Sequence, residues 1–367
     1  PAPTAPDVAA KVADLEQQVL AIQNKPPADD GVALHGFADV GGATGSAGRP
    51  RGGNIGLVDF YLTPKFTDRV RALMEIAMEV TPGGEIALDL ERLQIGYTFS
   101  DALNVWFGRF HTPYGYWNTA FHHGAQIQTS ILRPRFLDFE DKGGILPAHS
   151  VGVWANGGQR VGSGKLSYDL YFANAPRIGM GDPTLAGTGT LNPNLAAATG
   201  RAGTTGATVS YAFSGDLSGL SIGAHALNTK VGDDLAAGSN LTRVRMFGGF
   251  GVYTENDWEV LAEYYAFRNE DVSGGTGSRS SRAAYMQVGR TFGQWTPFAR
   301  HEFTRLDQGD NYFAQQESGQ SYRRNSIGLR YDINPKTALK FEATRTQLTD
   351  RAVDSYSELR TQLAVRF

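Results

Sequence analysis

From residue 32 onward, apolar and polar residues alternate in segments of about ten residues, with the period of two that is typical of β-strands. Gly, Pro, Asn, Asp and Ser lie between the segments, as expected for turns. We predict sixteen strands over the following ranges: 32–41, 53–63, 69–81, 85–97, 103–111, 148–157, 164–174, 204–214, 218–229, 241–254, 257–269, 281–292, 295–305, 321–333, 337–348 and 356–367.

The connections between these strands are alternately short and long. Short polar turns such as 100–101, 214–216 and 334–336 alternate with longer segments, of which 112–147 and 175–203 are the longest. This alternation is typical of bacterial outer-membrane barrels, whose short turns lie in the periplasm. We therefore predict an all-β transmembrane barrel of 16 antiparallel strands, closed because an open sheet edge cannot persist in hydrocarbon. An even strand number places both chain ends on the side of the short turns.

The alternation also assigns the two faces of the barrel wall. Val70, Met74 and Ile76 fall on one side of their strand, and Glu75 and Glu79 fall on the other. A soluble sandwich would have to bury such charges at prohibitive cost. We therefore expect the polar side to face a water-filled lumen.

Two local features refine this assignment. The alternation changes phase around 90–93, which predicts a β-bulge there. Aromatic residues near strand ends are expected to form an interfacial girdle, and they are Tyr97, Phe99, Trp258, Phe292, Trp295 and Tyr331.

Composition excludes several classes of protein. The chain has 45 Gly, no Cys and a net charge of −3 among 367 residues. Without cysteine the chain has no disulfides and no thiolate metal sites. No apolar run approaches the length of about 18 residues that a membrane helix needs. The slightly negative net charge does not indicate a basic surface for nucleic acid. Adjacent His122 and His123 point apart in an extended chain, so we predict no metal site. We also expect no cofactor, no nucleic-acid partner and no enzymatic activity.

The first 30 residues differ from the rest and are predicted to be a separate periplasmic unit ahead of a barrel over 31–367. Asp7 is a candidate N-cap for a short helix that ends near Pro26. The apolar positions of this helix follow the a/d spacing of a coiled coil, and they are Val8, Val12, Leu15, Val19 and Ile22. The helix is predicted to self-associate; the alternative is a weakly ordered tail, because so short a helix is marginal in water.

Sixteen strands, one long loop after the fifth strand and a closing strand that ends in Phe367 resemble a Gram-negative trimeric porin over residues 32–367. The N-terminal helix is similar to that of porins with a periplasmic coiled coil, such as phosphate-selective and dicarboxylate porin-like proteins. The resemblance implies a homotrimer in the outer membrane and a third long loop folded into the channel. It also implies that the Phe-terminated strand serves as the insertion signal.

The candidate constriction loop is 112–147. A sixteen-stranded barrel leaves an aqueous channel unless something narrows it, and we expect this loop to do so; an external lid and a trimer latch are the alternatives. Pro134 is expected to stiffen an extended segment that presents Arg133 and Arg135 together. The candidate constriction and solute-binding residues are Arg109, Tyr114, Tyr116, Trp117, Arg133, Arg135, Asp138, Glu140, Asp141, Lys142, Arg300, Arg330, Lys340 and Arg360.

The predicted lumen-facing charges segregate along the chain. Acidic residues lie on the first four strands, whereas basic residues lie on strand ten and on the last four strands; the latter include Arg243, Arg245, Arg300, Arg330, Lys340, Arg360 and Arg366. Arg binds carboxylates bidentately where Lys acts as a point charge. We therefore predict passive diffusion of small hydrophilic, carboxylate-bearing anions. Simple solvation of the lumen, or salt bridges within the loop, would explain the same charges without solute contact.

Two other functions remain open at this point. Tyr114, Tyr116 and Trp117 would suit a sugar-specific porin, because aromatic faces stack on sugar rings. A structural or surface-interaction barrel with a plugged lumen would carry long loops for a partner. Conductance in planar bilayers separates a channel from a silent barrel.

Overall fold

The computed structural model describes residues 34–46, 49–80, 84–121, 124–142, 144–180, 189–193, 203–233, 241–349 and 355–367, without the side chains of Asp141, Met180 and Asp233. Residues 1–33, with the predicted helix and its apolar stripe, lie outside this description, as do His122 and His123.

The segments of alternating apolar and polar residues fold into one antiparallel sheet that closes on itself. Its strands are β1 (Leu34–Gly45), β2 (Gly52–Leu62), β3 (Val70–Val80), β4 (Ile86–Ser100), β5 (Leu103–His111), β6 (His149–Val161), β7 (Gly164–Asn174), β8 (Arg177–Met180), β9 (Gly189–Asn192), β10 (Gly203–Ala212), β11 (Leu220–Asp233), β12 (Leu241–Glu255), β13 (Trp258–Asp271), β14 (Ser278–Arg290), β15 (Trp295–Arg305), β16 (Tyr322–Asn334), β17 (Thr337–Leu348) and β18 (Ser355–Arg366). Strands β8 and β9 form a short hairpin, and β7 pairs directly with β10. The other 16 of the 18 described strands form the wall, as predicted.

Pairing of β1 with β18 closes the barrel, with Phe37 opposite Arg366. At this seam Gly36 and Phe367 exchange two backbone hydrogen bonds of 3.1 Å. A Cβ on Gly36 would lie 2.6 Å from the Phe367 ring and 2.3 Å from a β2 carbonyl oxygen. Glycine at this position therefore lets the C-terminal ring cover the seam.

Short and long connections alternate around most of the barrel; around β2–β4 the order is reversed, since the turn 63–69 is longer than the loop 81–85. We call the two ends of the barrel the turn end and the loop end. One of the two-residue turns contains Asn256 and Asp257, which both have positive φ (52° and 65°) and so match a type I′ hairpin. Two one-turn helices, α1 (Trp117–Ala120) and α2 (Asn311–Ala314), lie in loop-end connections. No described helix is long and apolar enough to cross a membrane.

The bulge predicted around 90–93 is present. Glu75 pairs with Arg92 but Ile76 pairs with Leu90, so Glu91 is the extra residue. The bulge preserves the two faces, since Leu88 before it and Ile95 after it are both exposed on the outside. The predicted girdle aromatics lie at the turn end, where the rings of Trp295 and Tyr331 pack with their centroids 4.3 Å apart at a tilt of 36°.

The predicted lumen position of Arg243 and Arg245 is wrong. Val244 and Met246, which alternate with these arginines along β12, are buried inside the barrel and belong to the main apolar cluster of the protein. The two arginines therefore face outward, where both lie within 3.4 Å of the Glu270 carboxylate. The rule that apolar residues face lipid fails at β12, because the inside of the wall is itself dry there.

Substitution of Met74 or Ile76 by Arg tests the outward face of β3. Each variant should lower the free energy of unfolding by about 2–4 kcal/mol, because the charge would enter the apolar band. Denaturant unfolding in lipid vesicles measures this. Ala87→Arg is the matched control, since Ala87 lies opposite Glu79 on the inward face. Equal losses in all three variants would contradict the face assignment.

Candidate functional site

Three glutamates hold residues 112–148, here called the inner segment, against the inside of the wall. They lie on alternate strands, β13, β15 and β17, and each accepts backbone N–H groups of the segment. The bonds are Tyr116 and Trp117 to Glu263 (2.9 and 2.8 Å), Ile131 and Leu132 to Glu342 (2.7 and 2.9 Å), and Arg135 to Glu302 (2.7 Å). Because these carboxylates are buried, the segment lies inside the barrel and not over its mouth.

Three basic wall residues bind the carbonyl groups of the same segment. Arg300 donates to Leu132 and Arg133 O (2.8 and 3.3 Å), Arg330 donates to Gln128 O (3.0 Å), and Lys340 donates to Ala125 and Ser130 O. Arg300 and Lys340 are 2% and 0% exposed. The predicted solute contacts of Arg300, Arg330 and Lys340 are thus replaced by contacts that position the segment.

Aromatic side chains of the inner segment form a dry core against β13 and β14. Tyr114 and Trp117 are 1% and 0% exposed, and Phe136 packs edge-on against Tyr265 at 5.4 Å. Burial raises the pKa of Tyr114 well above its usual value, so its phenol stays neutral. Tyr116 is partly buried and packs on Phe250. The structure therefore does not bring Tyr114 or Trp117 to an open surface.

The remaining space lies on the side of β1, β2 and β18. A cavity of about 400 Å³, the lumen cavity, separates the inner segment from these strands. Its charged lining consists of Arg49, Arg133, Arg135, Lys142, Arg324 and Arg360 against Asp39, Asp138 and Glu358. Six cationic groups therefore face three carboxylates across this cavity, in a protein whose net charge is −3.

Some of these cations already have partners. Arg360 pairs with Glu358 at 2.8 Å, Arg324 lies 3.5 Å from Glu302, and Lys142 pairs with Glu79. Arg133 is 8% exposed; it donates to Asn118, and its guanidinium lies 3.9 Å from the Phe139 ring centroid. Burial lowers the pKa of the Arg133 guanidinium below its ordinary value.

Arg49 and Arg135 converge on one tyrosine of β18. The guanidinium carbon of Arg49 lies 3.4 Å from the centroid of the Tyr356 ring, and Arg135 Nη1 donates to the Tyr356 hydroxyl at 2.6 Å. Neither arginine forms an ion pair with a carboxylate among the described side chains. Tyr356 therefore holds two guanidinium groups at the cavity without neutralising them.

Arg109 and Glu140 lie in a different cavity of about 190 Å³, beneath the β8–β9 hairpin. Arg109 lies 3.6 Å from Glu91, and His149 lies between Glu91 and Glu140 at 2.8 and 3.1 Å. Burial raises the pKa of Glu140, but the charge and hydrogen bonds of His149 lower it more, so the net shift is downward. The two cavities have no described lining residue in common.

Sequence reasoning missed Arg49, Tyr356 and the three glutamates. The inward parity of Glu263, Glu302 and Glu342 was readable, since each lies on the same face as a basic anchor or a buried tyrosine. Arg49 lies in a short irregular connection, and no periodicity could have pointed to it. Among the described residues, no cluster of three or more His, Asp or Glu side chains is placed to hold a metal ion.

Glu263→Gln tests the anchoring of the inner segment. The Gln NH₂ group would face the N–H group of either Tyr116 or Trp117, because these two amides bond to different oxygens of Glu263. The lost acceptor should lower the free energy of unfolding by about 1–3 kcal/mol and make the segment accessible to protease. Limited proteolysis and denaturant unfolding measure both effects. Glu270→Gln on the same strand faces outward and should leave segment cleavage unchanged. A segment that stays protected in Glu263→Gln would contradict the anchoring role.

Comparison with known proteins gives structural relatives only. No protein-family model and no curated protein matches the chain. The anion-selective porin of Comamonas acidovorans has a TM-score of 0.62 at 13% identity over 92% of this chain and 99% of its own. OmpF of Salmonella typhi, solved with daunomycin, has a TM-score of 0.59 at 12% identity over 92% and 97%. The outer-membrane channel DcaP of Acinetobacter baumannii has a TM-score of 0.55 at 12% identity over 94% and 99%. The chain therefore has the fold of Gram-negative outer-membrane porins, a multi-pass β-barrel.

Proposed function

We propose that this protein is an outer-membrane porin that lets small hydrophilic anions, in particular carboxylate-bearing ones, diffuse passively through its barrel. The observation that carries the proposal is the lumen cavity, where six cationic side chains face three carboxylates. In this proposal the inner segment is the constriction, and a solute passes between it and β1, β2 and β18.

Arg49 and Arg135 are proposed to make the main solute contacts. A guanidinium group binds a carboxylate through two parallel hydrogen bonds, and its contact with Tyr356 limits the side-chain freedom that would otherwise be lost on binding. At physiological salt a charge is screened within about 8 Å. The local excess of arginine therefore governs selectivity more than the overall charge of the protein does.

Arg135→Ala should move the zero-current potential in a salt gradient toward cation preference and weaken block by dicarboxylates. Arg49→Ala should act in the same direction, and both effects should shrink as salt rises, because screening removes the field. The measurement is the reversal potential of single channels in planar bilayers. Arg290→Gln is the control, since Arg290 packs on Trp258 and Phe292 at the turn end, away from the cavity.

Three outcomes would count against the proposal. A barrel without ohmic conductance would favour the structural or surface-interaction function. An unchanged reversal potential in the Arg49→Ala/Arg135→Ala double variant at low salt would remove the solute role of these arginines. Equal block by neutral sugars and dicarboxylates would favour a sugar porin, although the burial of Tyr114 and Trp117 leaves them no face for a sugar ring.

We also propose that the protein is a homotrimer whose short N-terminal helices associate in the periplasm. The a/d spacing of Val8, Leu15 and Val19 supports this assembly. Deletion of residues 1–26 should lower the melting temperature of the oligomer and leave the barrel inserted, because the barrel walls would carry the main contacts. Gel mobility of unheated and heated samples measures both. Unchanged oligomer melting would remove the role of the helix.

A further inference from the structure

Seven arginines form a continuous belt on the outside of the barrel. They lie at the loop end of six neighbouring strands, β12 to β17, on the face opposite the buried wall residues. This arginine belt consists of Arg243, Arg245, Arg268, Arg282, Arg305, Arg323 and Arg345. The predicted aromatic girdle lies at the other end of the same wall, with apolar outward residues such as Phe247, Met286 and Ile327 between the two.

The sheet register brings these arginines close to one another. Arg282 and Arg305 are direct cross-strand partners. Arg323 pairs with Phe303, two residues from Arg305, and Arg345 pairs with Asn325, two residues from Arg323. Direct partners have Cβ atoms about 5 Å apart and diagonal neighbours about 7–8 Å apart, and like charges at such positions are destabilising. The belt therefore lowers the stability of the barrel unless an anion lies against it.

The protein supplies little of that negative charge. Within the loop-end half of β12–β17, Glu270 is the single outward-facing acidic residue that the structure describes. It lies 3.1 Å from Arg243 and 3.4 Å from Arg245. The other five arginines are exposed and have no carboxylate partner among the described residues. The described part of the protein therefore leaves Arg268, Arg282, Arg305, Arg323 and Arg345 without a carboxylate counterion, which favours binding of an external anion there.

We propose that the arginine belt binds the phosphate groups of lipid head groups in the outer leaflet. The belt lies where the apolar band of the wall ends, and this is the level of the lipid head groups. Guanidinium groups bind phosphate through two parallel hydrogen bonds. An open groove of about 640 Å³ adjoins Arg345, and Ile327 and Leu359 in it are 64% and 49% exposed. A lipid fits both features, with its phosphate on the belt and an acyl chain in the groove. This inference rests on the proposed membrane location but not on channel activity.

The test uses the full-length protein in detergent and bisphosphorylated lipid A as the probe, with lipid binding followed by native mass spectrometry. The variant Arg282→Gln/Arg305→Gln/Arg323→Gln should bind lipid A about tenfold or more weakly than the wild type, because the charge-assisted bonds are lost. The control variant Arg69→Gln/Arg160→Gln/Arg290→Gln removes the same charge from exposed arginines at the turn end and should bind as the wild type does. Arg305→Gln alone should give a smaller loss while relieving the repulsion with Arg282.

Further binding measurements identify the ligand. Lipid A without phosphates should bind the wild type and the belt variant equally, and inorganic phosphate at the lipid concentration should not displace lipid A. Equal losses in the belt and control variants, or tight wild-type binding of phosphate-free lipid A, would overturn the proposal. Displacement by inorganic phosphate would make the belt a small-anion site instead. A changed oligomeric mass with unchanged lipid binding would make it a protein interface. Loss of conductance would contradict the porin proposal alone.

Discussion

The need to satisfy the backbone of the inner segment inside a closed barrel organises much of this protein. A stretch of more than thirty residues whose helices are single turns carries many N–H and C=O groups outside regular structure, and each one buried without a partner is costly. Here the wall supplies partners in a regular way: Glu263, Glu302 and Glu342 accept from the amides, and Arg300, Arg330 and Lys340 donate to the carbonyls. The charges of this wall therefore serve the segment first, and the aromatic core between segment and wall becomes dry as a result.

This docking makes the lumen asymmetric. The segment packs against β13–β17, and the lumen cavity lies on the side of β1, β2 and β18. Arg49 and Arg135 reach that space, and Tyr356 orients both of them. Anion preference in the proposed function thus follows from two guanidinium groups that form no ion pair with a described carboxylate. The same packing turns Arg243 and Arg245 outward, where they become part of the arginine belt.

The strands, the bulge at Glu91 and the alternation of turns and loops were predictable, because each follows from local periodicity and turn chemistry. The assignment of faces from alternating residues was wrong at β12, because Val244 and Met246 point into an apolar core that forms only in the folded chain. The solute-binding role of the candidate residues stays a prediction, but their positions differ. Arg133, Arg135, Asp138, Lys142 and Arg360 do line the lumen cavity, whereas Arg300, Arg330 and Lys340 lie behind the segment.

The amino-acid order alone therefore specifies the barrel. A period of two along each strand chooses the faces, an even number of strands places both ends together, and the hydrocarbon requires closure. The roles of individual charges depend on the folded chain. Arg135 and Arg300 are both arginines expected in the lumen, yet one faces the cavity and the other is 2% exposed beneath the segment. That difference comes from contacts between residues more than 150 positions apart, such as Arg300 with Leu132, and no local pattern encodes such contacts.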